Sequence, residues 1–267
     1  MHHCNLSEGQ TGRCRARKNV GGINESISYG KITSIALDPI EKKPLKCFEP
    51  GKKILSVGSF GCNLDCPFCQ NDTISMSGLS EAEFFYLSPK ELVIKAEEFR
   101  KNGNIGIAYT YNEPLIGYEY VLDTAKLVRK AGMKNVVVTN GSVTTEILNE
   151  VVPYIDAFNI DLKGMTESFY KKLGGDLETV KKFIKIAASN SHVEITTLIV
   201  PGENDSAKEM QELSKWISEI DKNIPLHITR FFPRRKMIDE MPTNVELIYS
   251  LAEIARKNLN RVFAGNC

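Results

Sequence analysis

Residues 61–71 read Gly-Cys-Asn-Leu-Asp-Cys-Pro-Phe-Cys-Gln-Asn, and this cysteine loop carries Cys62, Cys66 and Cys69 within eight positions. It follows a short apolar, β-branched run at residues 53–57, which predicts a buried strand. Folds built from alternating strands and helices keep their chemistry in the loops at the carboxyl ends of the strands. The cysteine loop is therefore the candidate functional site, placed after the first strand of a predicted sheet.

From Lys52 onward, β-branched runs alternate with longer amphipathic stretches, which is typical of βαβ units around a parallel sheet. Six runs are predicted to be strands: residues 53–57, 105–109, 135–139, 157–161, 193–200 and 226–229. Six strand–helix units fall short of the eight in a complete barrel. The predicted fold is α/β, a partial (β/α)6 TIM-like barrel over residues 52–267. A doubly wound, Rossmann-like sheet is the alternative.

Helix boundaries are marked by capping signals. Residues 88–91 (Ser-Pro-Lys-Glu) read as a capping box with proline at the first helical position, and Gly103 is predicted to close that helix. A second helix is predicted from about Ile116 to Gly132. Residues 243–246 (Thr-Asn-Val-Glu) predict another capping box at the start of the last helix.

Residues 1–51 lack the alternation and are interrupted by glycine and proline. Short strands are predicted at residues 27–29 and 31–37. This segment is interpreted as a small N-terminal β extension that caps the barrel.

The composition is that of an ordinary globular protein: 42% of the 267 residues are hydrophobic and 25% are charged. A net charge of +1 provides no overall field to attract nucleic acid or an anionic membrane, so neither is a predicted partner. The apolar runs are too short to span a bilayer, and no secretory leader is predicted. Seven cysteines, with three in one loop, favour metal binding in a reducing cytoplasm over disulfide bonds.

Three thiolates on one tight loop can each bind one iron of a cubane [4Fe–4S] cluster, which leaves the fourth iron open to an exogenous ligand. Three other interpretations compete. A structural zinc site on Cys66 and Cys69 needs four closed ligands. A thioredoxin-type dithiol at the same two positions leaves Cys62 without a role. Three buried apolar cysteines are unexpected in a polar, glycine-flanked loop. The spacing favours the open cluster.

The C-x3-C-x2-C spacing, with an aromatic residue before the third cysteine, resembles the signature of the radical S-adenosylmethionine (SAM) superfamily. Other segments extend the likeness along nearly the whole chain: residues 38–45, 109–114, 138–141, 159–163, 192–197 and 225–227. Together they resemble the AmmeMemoRadiSam-system enzymes, often labelled as homologues of pyruvate formate-lyase activating enzymes. The resemblance implies a [4Fe–4S] cluster on the three loop cysteines and SAM as a second cofactor.

The resemblance also implies which residues hold SAM: Phe68, Asn112, Glu113, Asn140, Asp161, Lys163, Thr197 and His227. Relatives carry Gly-Gly-Glu where this chain has Asn-Glu-Pro, and their glutamate binds the methionine amino group. Lys163 would neutralise the methionine carboxylate, and Asp161 would hold a ribose hydroxyl or a monovalent cation.

Three further roles are implied by the same resemblance. His227 would lie near the ribose, Thr197 would point to the same mouth of the barrel, and Phe68 would lie beside the adenine. Structural interpretations stand beside these roles. Glu113 is also readable as a loop carboxylate, Asp161 and Lys163 as a solvated ion pair, His227 as a core histidine, and Asn140 as part of an Asn-Gly turn.

The N-terminus offers a possible second metal site, in which His2, His3, Cys4 and Cys14 would form a zinc-like cluster. Two enzymatic functions stay open at this point. One is hydrogen abstraction from a backbone glycine of a partner protein, and the other is modification of a small molecule, in concert with Memo-family and AMMECR-like proteins. A flavodoxin or ferredoxin would supply the electron. A non-enzymatic iron–sulfur electron carrier is the third alternative, disfavoured because a carrier would close the open iron.

Overall fold

The structure, a computed structural model, describes residues 4–267. Its strands within that range are β1 (Arg17–Val20), β2 (Ile23–Ser26), β3 (Lys31–Ile32), β4 (Ser34–Pro39), β5 (Lys53–Gly58), β6 (Phe85–Tyr86), β7 (Asn104–Tyr109), β8 (Lys134–Thr139), β9 (Ala157–Asp161), β10 (His192–Ile199), β11 (Leu226–Arg230) and β12 (Val262–Gly265). Its α-helices are α1 (Asp72–Ser75), α2 (Pro89–Glu98), α3 (Tyr118–Lys130), α4 (Thr145–Val151), α5 (Glu167–Leu173), α6 (Leu177–Ala188), α7 (Ala207–Asp221) and α8 (Val245–Arg256). None of these helices is long and apolar enough to cross a membrane.

The main sheet has eight strands in the order β12-β11-β10-β9-β8-β7-β5-β4. β4 is antiparallel to β5, and every other neighbouring pair is parallel. The parallel strands follow one another in chain order, so every crossover advances in the same direction around the sheet. A Rossmann-like sheet would reverse direction at its centre. The α/β prediction with sequential strands is confirmed, and the doubly wound alternative is wrong.

All six predicted strands form, and β12 is a seventh parallel strand that the sequence pattern did not reveal. β12 is only four residues long and ends in Ala264 and Gly265, so it lacks the β-branched run typical of a buried strand. Its position beside β11 extends the predicted sheet by one strand at the carboxyl end of the chain.

The two faces of the sheet bury different sets of side chains, because successive strand residues point to opposite faces. Leu55, Ile107 and Ile195 pack in the large core shared with the helices. Their neighbours Ile54 and Ala108 belong to a separate small cluster that includes Ile40 and Leu45 from the connection between β4 and β5. This second cluster is the inner face of the barrel near its floor.

The floor segment, residues 40–52, connects β4 to β5 and therefore lies at the amino ends of the parallel strands. The fully buried carboxylate of Glu194 on β10 holds it in place. Four donors surround that carboxylate: the amides of Lys46 (3.0 Å) and Cys47 (2.7 Å) and the ring nitrogens of His192 (3.0 Å) and His227 (2.6 Å). These four hydrogen bonds replace the ones that water would donate to an exposed carboxylate, so the buried charge is tolerated.

The N-terminal region departs from prediction in two ways. Gly21 and Gly22, with φ of +61° and +82°, form a two-residue turn that pairs β1 with β2. The turn sets the second strand at Ile23–Ser26, so the strand predicted at residues 27–29 is wrong, and those residues form a turn. The run predicted at 31–37 is broken at Thr33, and its second part, β4, joins the main sheet. The predicted boundary at residue 51 thus falls inside a connection within that sheet.

Of the two predicted capping boxes, the one at residues 88–91 is confirmed and the one at residues 243–246 is wrong. Ser88 and Glu91 form the complete capping box, and Gly103 closes the following 3₁₀ turn in a left-handed conformation. The box predicted at 243–246 is wrong, because Asn244 is the N-cap of α8 and accepts from the amides of residues 246 and 247. The Thr243 hydroxyl instead donates to the Ile199 carbonyl at 2.6 Å.

Acid should weaken the floor of the barrel through Glu194. The two histidines and the Cys47 amide outweigh the cost of burial and lower the pKa of Glu194 from 4.5 to about 2. A carboxyl whose folded pKa is depressed stabilises the fold above its unfolded pKa and loses that contribution as pH falls. We expect unfolding free energy to drop by roughly 3 kcal/mol more in the wild type than in Glu194→Gln between pH 4.5 and pH 2. Urea denaturation of both proteins across that range measures the difference, and identical acid profiles would contradict it.

Candidate functional site

The cysteine loop lies at the carboxyl edge of the sheet, directly after β5. β7, β8 and β9 are the next strands in the sheet, and their carboxyl ends carry Asn112 with Glu113, Asn140, and Asp161 with Lys163. The carboxyl ends of parallel strands meet at one edge, so the fold brings most of the predicted site together. Asn140 links two of these groups, because its side-chain nitrogen lies 3.7 Å from the Cys62 sulfur and its backbone amide donates to Glu113 at 2.7 Å.

The three thiols share one apolar environment. Cys66 is 9% exposed, and Cys62 and Cys69 pack beside it against a cluster formed by residues from the loop, α5 and the ends of β10 and β11. The Leu64 amide donates to the Cys62 sulfur at 3.4 Å. Burial raises the pKa of Cys66 to about 11 and also raises the pKa of Cys62. Thiols in such a place are unreactive unless a metal cation takes the proton's place.

Asn112 and its neighbour fasten both ends of the cysteine loop to β7. The Asn112 side chain accepts from the Ser59 amide at 3.0 Å and donates to the carbonyls of residues 60 and 61 at 3.1 Å each. Asn71, at the other end of the loop, donates to the Tyr111 carbonyl at 2.8 Å. Tyr111 has a φ of +73°, a strained value for an aromatic residue, and its hydroxyl is held by Asp38 at 2.9 Å.

Asn140 ties the middle of the cysteine loop to the end of β8. Its side-chain amide donates to the Asn63 side-chain oxygen at 2.8 Å and lies 3.7 Å from the Cys62 sulfur. Asn63 in turn donates to the Ser142 carbonyl at 2.8 Å. Asn140 therefore supports the loop that carries the thiols, and its Oδ1 is already occupied by the Ser142 amide. Sequence reasoning missed Asn63, although it stands inside the motif between two cysteines.

Glu113 is a buried carboxylate, 3% exposed, beside these groups. It accepts hydrogen bonds from the Thr139 hydroxyl (2.7 Å) and from the amides of Asn140 (2.7 Å) and Leu115 (3.0 Å). Burial nevertheless raises the pKa of Glu113 to about 7, against the lowering effect of the three donors. A cationic ligand nearby would favour the ionised form, so Glu113 is suited to bind an ammonium group.

Asp161 and Lys163 form an ion pair of 2.7 Å at the end of β9. Burial acts to lower the pKa of Lys163, but Asp161 and the Cys66 sulfur outweigh it and raise the pKa, so the side chain stays a cation. The backbone of Lys163 is fixed on both sides. Its amide donates to the Tyr170 hydroxyl at 3.0 Å, and its carbonyl accepts from Asn204 at 2.6 Å.

The other three predicted residues are placed differently. The Phe68 side chain is 3% exposed and packs against Phe169, with ring centroids 6.3 Å apart. Thr197 lies on the face of β10 opposite to Glu194 and donates to the Leu162 carbonyl at 2.9 Å, so it braces the strand end that carries Asp161 and Lys163. His227 contacts Glu194 and stacks on Phe263 near the floor. The structure does not bring Thr197 or His227 to the thiols.

A cavity of about 370 Å³ adjoins the cysteine loop on the side of the N-terminal segment. Cys4 and Cys14 both line it, together with Asn63. His2 and His3 lie outside the described residues, so the predicted four-ligand site stays a prediction. Within residues 4–267 no three histidine, cysteine, aspartate or glutamate side chains are arranged around a single metal ion. In a cubane, by contrast, each thiolate binds a different iron.

Comparison with known proteins places this site in context. The family model described as the Radical SAM superfamily matches residues 56–216, which include the cysteine loop and the strand ends around it. An uncharacterized protein of Methanocaldococcus jannaschii, MJ0808, is 38% identical over 267 residues, which is 99% of this chain and 79% of that protein. The pyruvate formate-lyase 1-activating enzyme of Escherichia coli is 27% identical over 170 residues, which is 61% of this chain and 68% of the enzyme.

The solved structure of Streptococcus suis SuiB bound to S-adenosylmethionine superposes with a TM-score of 0.62 at 15% sequence identity. The match covers 77% of this chain and 48% of SuiB. At that identity the likeness concerns the fold alone. It confirms the predicted α/β architecture of the partial TIM-like barrel type.

The burial of Glu113 predicts how this side chain affects the free energy of unfolding. A glutamine at this position keeps only one acceptor oxygen, and its amide group would face N–H and O–H donors. The glutamine stays neutral, however, whereas burial raises the pKa of Glu113 to about 7, so ionisation of the wild-type carboxyl costs folded-state stability. We therefore expect the unfolding free energy of the wild type to fall by roughly 3 kcal/mol relative to that of Glu113→Gln between pH 4.5 and pH 8. Chemical denaturation of the metal-free protein measures it. Glu97→Gln, which changes an exposed acid on α2, is the control and should keep the pH dependence of the wild type; the same pH dependence in Glu113→Gln would contradict a special role for Glu113.

Proposed function

The chain belongs to the radical SAM superfamily, and on that premise we propose that Cys62, Cys66 and Cys69 hold a [4Fe–4S] cluster and that the protein is an enzyme that cleaves SAM reductively. The observation that carries the proposal is the convergence of the three loop thiols on one apolar cluster beside Glu113, Asp161 and Lys163.

The donor set suits the cluster. Three thiols from one short loop match an open cubane with one iron free, and the apolar surroundings exclude water from the sulfurs. An amide already donates to the Cys62 sulfur, as expected around thiolates that carry charge. Two cationic side chains, Lys163 and Arg235, favour the ionised form of Cys66. All seven cysteines are free in the structure, and a reducing cytoplasm is the location that we propose.

When bound together, the reduced cluster and SAM supply a 5′-deoxyadenosyl radical that abstracts hydrogen from the substrate. The residues of this chain would position the cofactor for that step. Lys163 is the cation for the methionine carboxylate, and Glu113 is the buried acceptor for the methionine amino group. Asp161 would take a ribose hydroxyl or a monovalent cation. Thr139 and Asn140, at the end of the neighbouring strand, could supply further oxygens to such a cation; each of these side-chain oxygens also accepts one backbone amide, from Gly141 and Ser142 respectively.

For the substrate we propose the backbone of a partner protein, supported by the similarity to pyruvate formate-lyase activating enzymes. The electron would come from a flavodoxin or ferredoxin. Membership of the AmmeMemoRadiSam branch, with Memo- or AMMECR-like partners and a small-molecule substrate, stays an alternative prediction. No contact within the described part of the chain favours it.

The cluster proposal predicts the behaviour of single cysteine variants. After anaerobic reconstitution the wild type should hold about four irons per chain and slowly form 5′-deoxyadenosine from SAM under a strong reductant. Cys62→Ala, Cys66→Ala and Cys69→Ala should each lose the intact cluster and this product. Cys47→Ala and Cys267→Ala are the controls and should behave as wild type. Iron analysis and chromatography give both readouts, and full cleavage by any loop variant would reject the assignment.

The proposed role of Lys163 is tested by binding. Lys163→Met should weaken SAM binding to the reconstituted protein by about 1.5–3 kcal/mol, because a charged hydrogen bond is lost, while the iron content stays unchanged. Lys172→Met is a matched control, since Lys172 also forms an ion pair, 2.8 Å from Glu203, but with 61% of its side chain exposed. Equilibrium dialysis measures the dissociation constants. Equal SAM affinity in the two variants would show that the pair of Asp161 and Lys163 is structural.

A further inference from the structure

The outer side of the cysteine loop is covered by the segment that follows β11. Arg235 reaches back to the loop, where one guanidinium nitrogen donates to the Cys66 carbonyl at 2.8 Å and another contacts the Asp65 carboxylate at 2.5 Å. The next residue, Lys236, donates its amide to the Pro67 carbonyl at 2.9 Å, and its ammonium group lies 3.1 Å from Asp65. Two consecutive carbonyls of the loop are thus held by two consecutive residues from the far end of the chain.

The two cations differ in burial. The Arg235 side chain is 13% exposed, whereas that of Lys236 is 60% exposed and faces solvent. Charges withdrawn from water are screened less, so Arg235 exerts the stronger field on the loop. Asp65 opposes two cations at once, which leaves the group of three side chains with a net positive charge beside Cys66.

The backbone of Arg235 is strained, with a φ of +50°. Residues other than glycine rarely adopt such values and keep them only where their surroundings impose them. Here the surroundings are the cysteine loop. With this backbone conformation the Arg235 guanidinium donates to the Cys66 carbonyl, and the Lys236 amide donates to the Pro67 carbonyl. Met237 packs into the same apolar cluster as the thiols and completes the contact.

We infer that Arg235 is a positioning residue that fixes the cysteine loop and makes the cluster easier to reduce, an inference that rests on the proposed function. Reduction adds one negative charge to the cluster. A buried guanidinium bonded to the carbonyl of a ligand cysteine stabilises the reduced form more than the oxidised form.

The first test uses the metal-free protein, so it does not depend on the cluster. In Arg235→Gln, amide hydrogen exchange in residues 62–69 should become at least tenfold faster than in the wild type. Arg234→Gln is the matched control, since Arg234 is the adjacent, exposed arginine and its side chain has no hydrogen-bond or ion-pair partner among residues 4–267. Arg235→Lys should also speed exchange, because an ammonium group cannot reproduce the two-pronged contact.

The second test uses the reconstituted cluster. At a fixed potential, Arg235→Gln should lower the ratio of reduced to oxidised cluster about tenfold, which corresponds to a midpoint about 59 mV more negative. Arg235→Lys should restore most of that shift, since it keeps the charge. Asp65→Asn should move the midpoint in the positive direction, because it removes the opposing carboxylate. A merely structural role would not produce shifts of opposite sign in these variants.

The outcomes separate this inference from the proposed function. If the wild type assembles no cluster, the proposed function fails, and the exchange experiment still decides the positioning role. If Arg235→Gln matches Arg234→Gln in exchange and in midpoint, the inference is overturned. If circular dichroism shows that Arg235→Gln does not fold, Asp65→Asn decides, and an unchanged midpoint in that variant overturns the electrostatic part.

Discussion

Hydrogen bonds to the backbone of the cysteine loop are the constraint on which the site depends. Three thiols can converge on one apolar cluster only if the polar backbone around them is satisfied without water. Asn112 holds the chain that enters the loop, Asn140 holds its middle through Asn63, and Arg235 holds its outer side. These supports come from the ends of three different strands, so the sheet must form before the loop has its shape.

Burial and charge are balanced in the same region. Apolar surroundings raise the pKa of Cys62, of Cys66 and of Glu113, which disfavours negative charge at the mouth of the barrel. Lys163 remains a cation there because Asp161 is paired with it. Lys163 and Arg235 reduce the effect of burial at Cys66, whereas burial dominates at Glu113 and raises its pKa to about 7 despite three hydrogen-bond donors. This imbalance distinguishes the mouth from the floor, where Glu194 is fully satisfied by the protein.

The sequence predicts the strands and the cysteine loop well, because both depend on local patterns of apolar residues and cysteine spacing. It fails where distant contacts decide. Thr243 looks like a helix cap, but β10 offers its hydroxyl a carbonyl acceptor, and Asn244 takes over the cap. Thr197, predicted to hold SAM, lies on the face of β10 opposite to Glu194 and donates to the Leu162 carbonyl. The support from Arg235 could not be predicted, since the charge run after β11 gives no sign of which element it will meet.

The sequence distance between the partners of the loop has a consequence for biosynthesis. Asp65 and Arg235 are 170 positions apart, and the floor segment meets Glu194 across 148 positions. Strands that follow in chain order can pair one after another as the polypeptide leaves the ribosome, whereas such long-range contacts form late. The floor closes only after β10 has been made, and the loop gains its last support only when translation has passed Arg235. Until then the loop lacks this support, so we expect the proposed cluster to be inserted only after translation has passed Arg235.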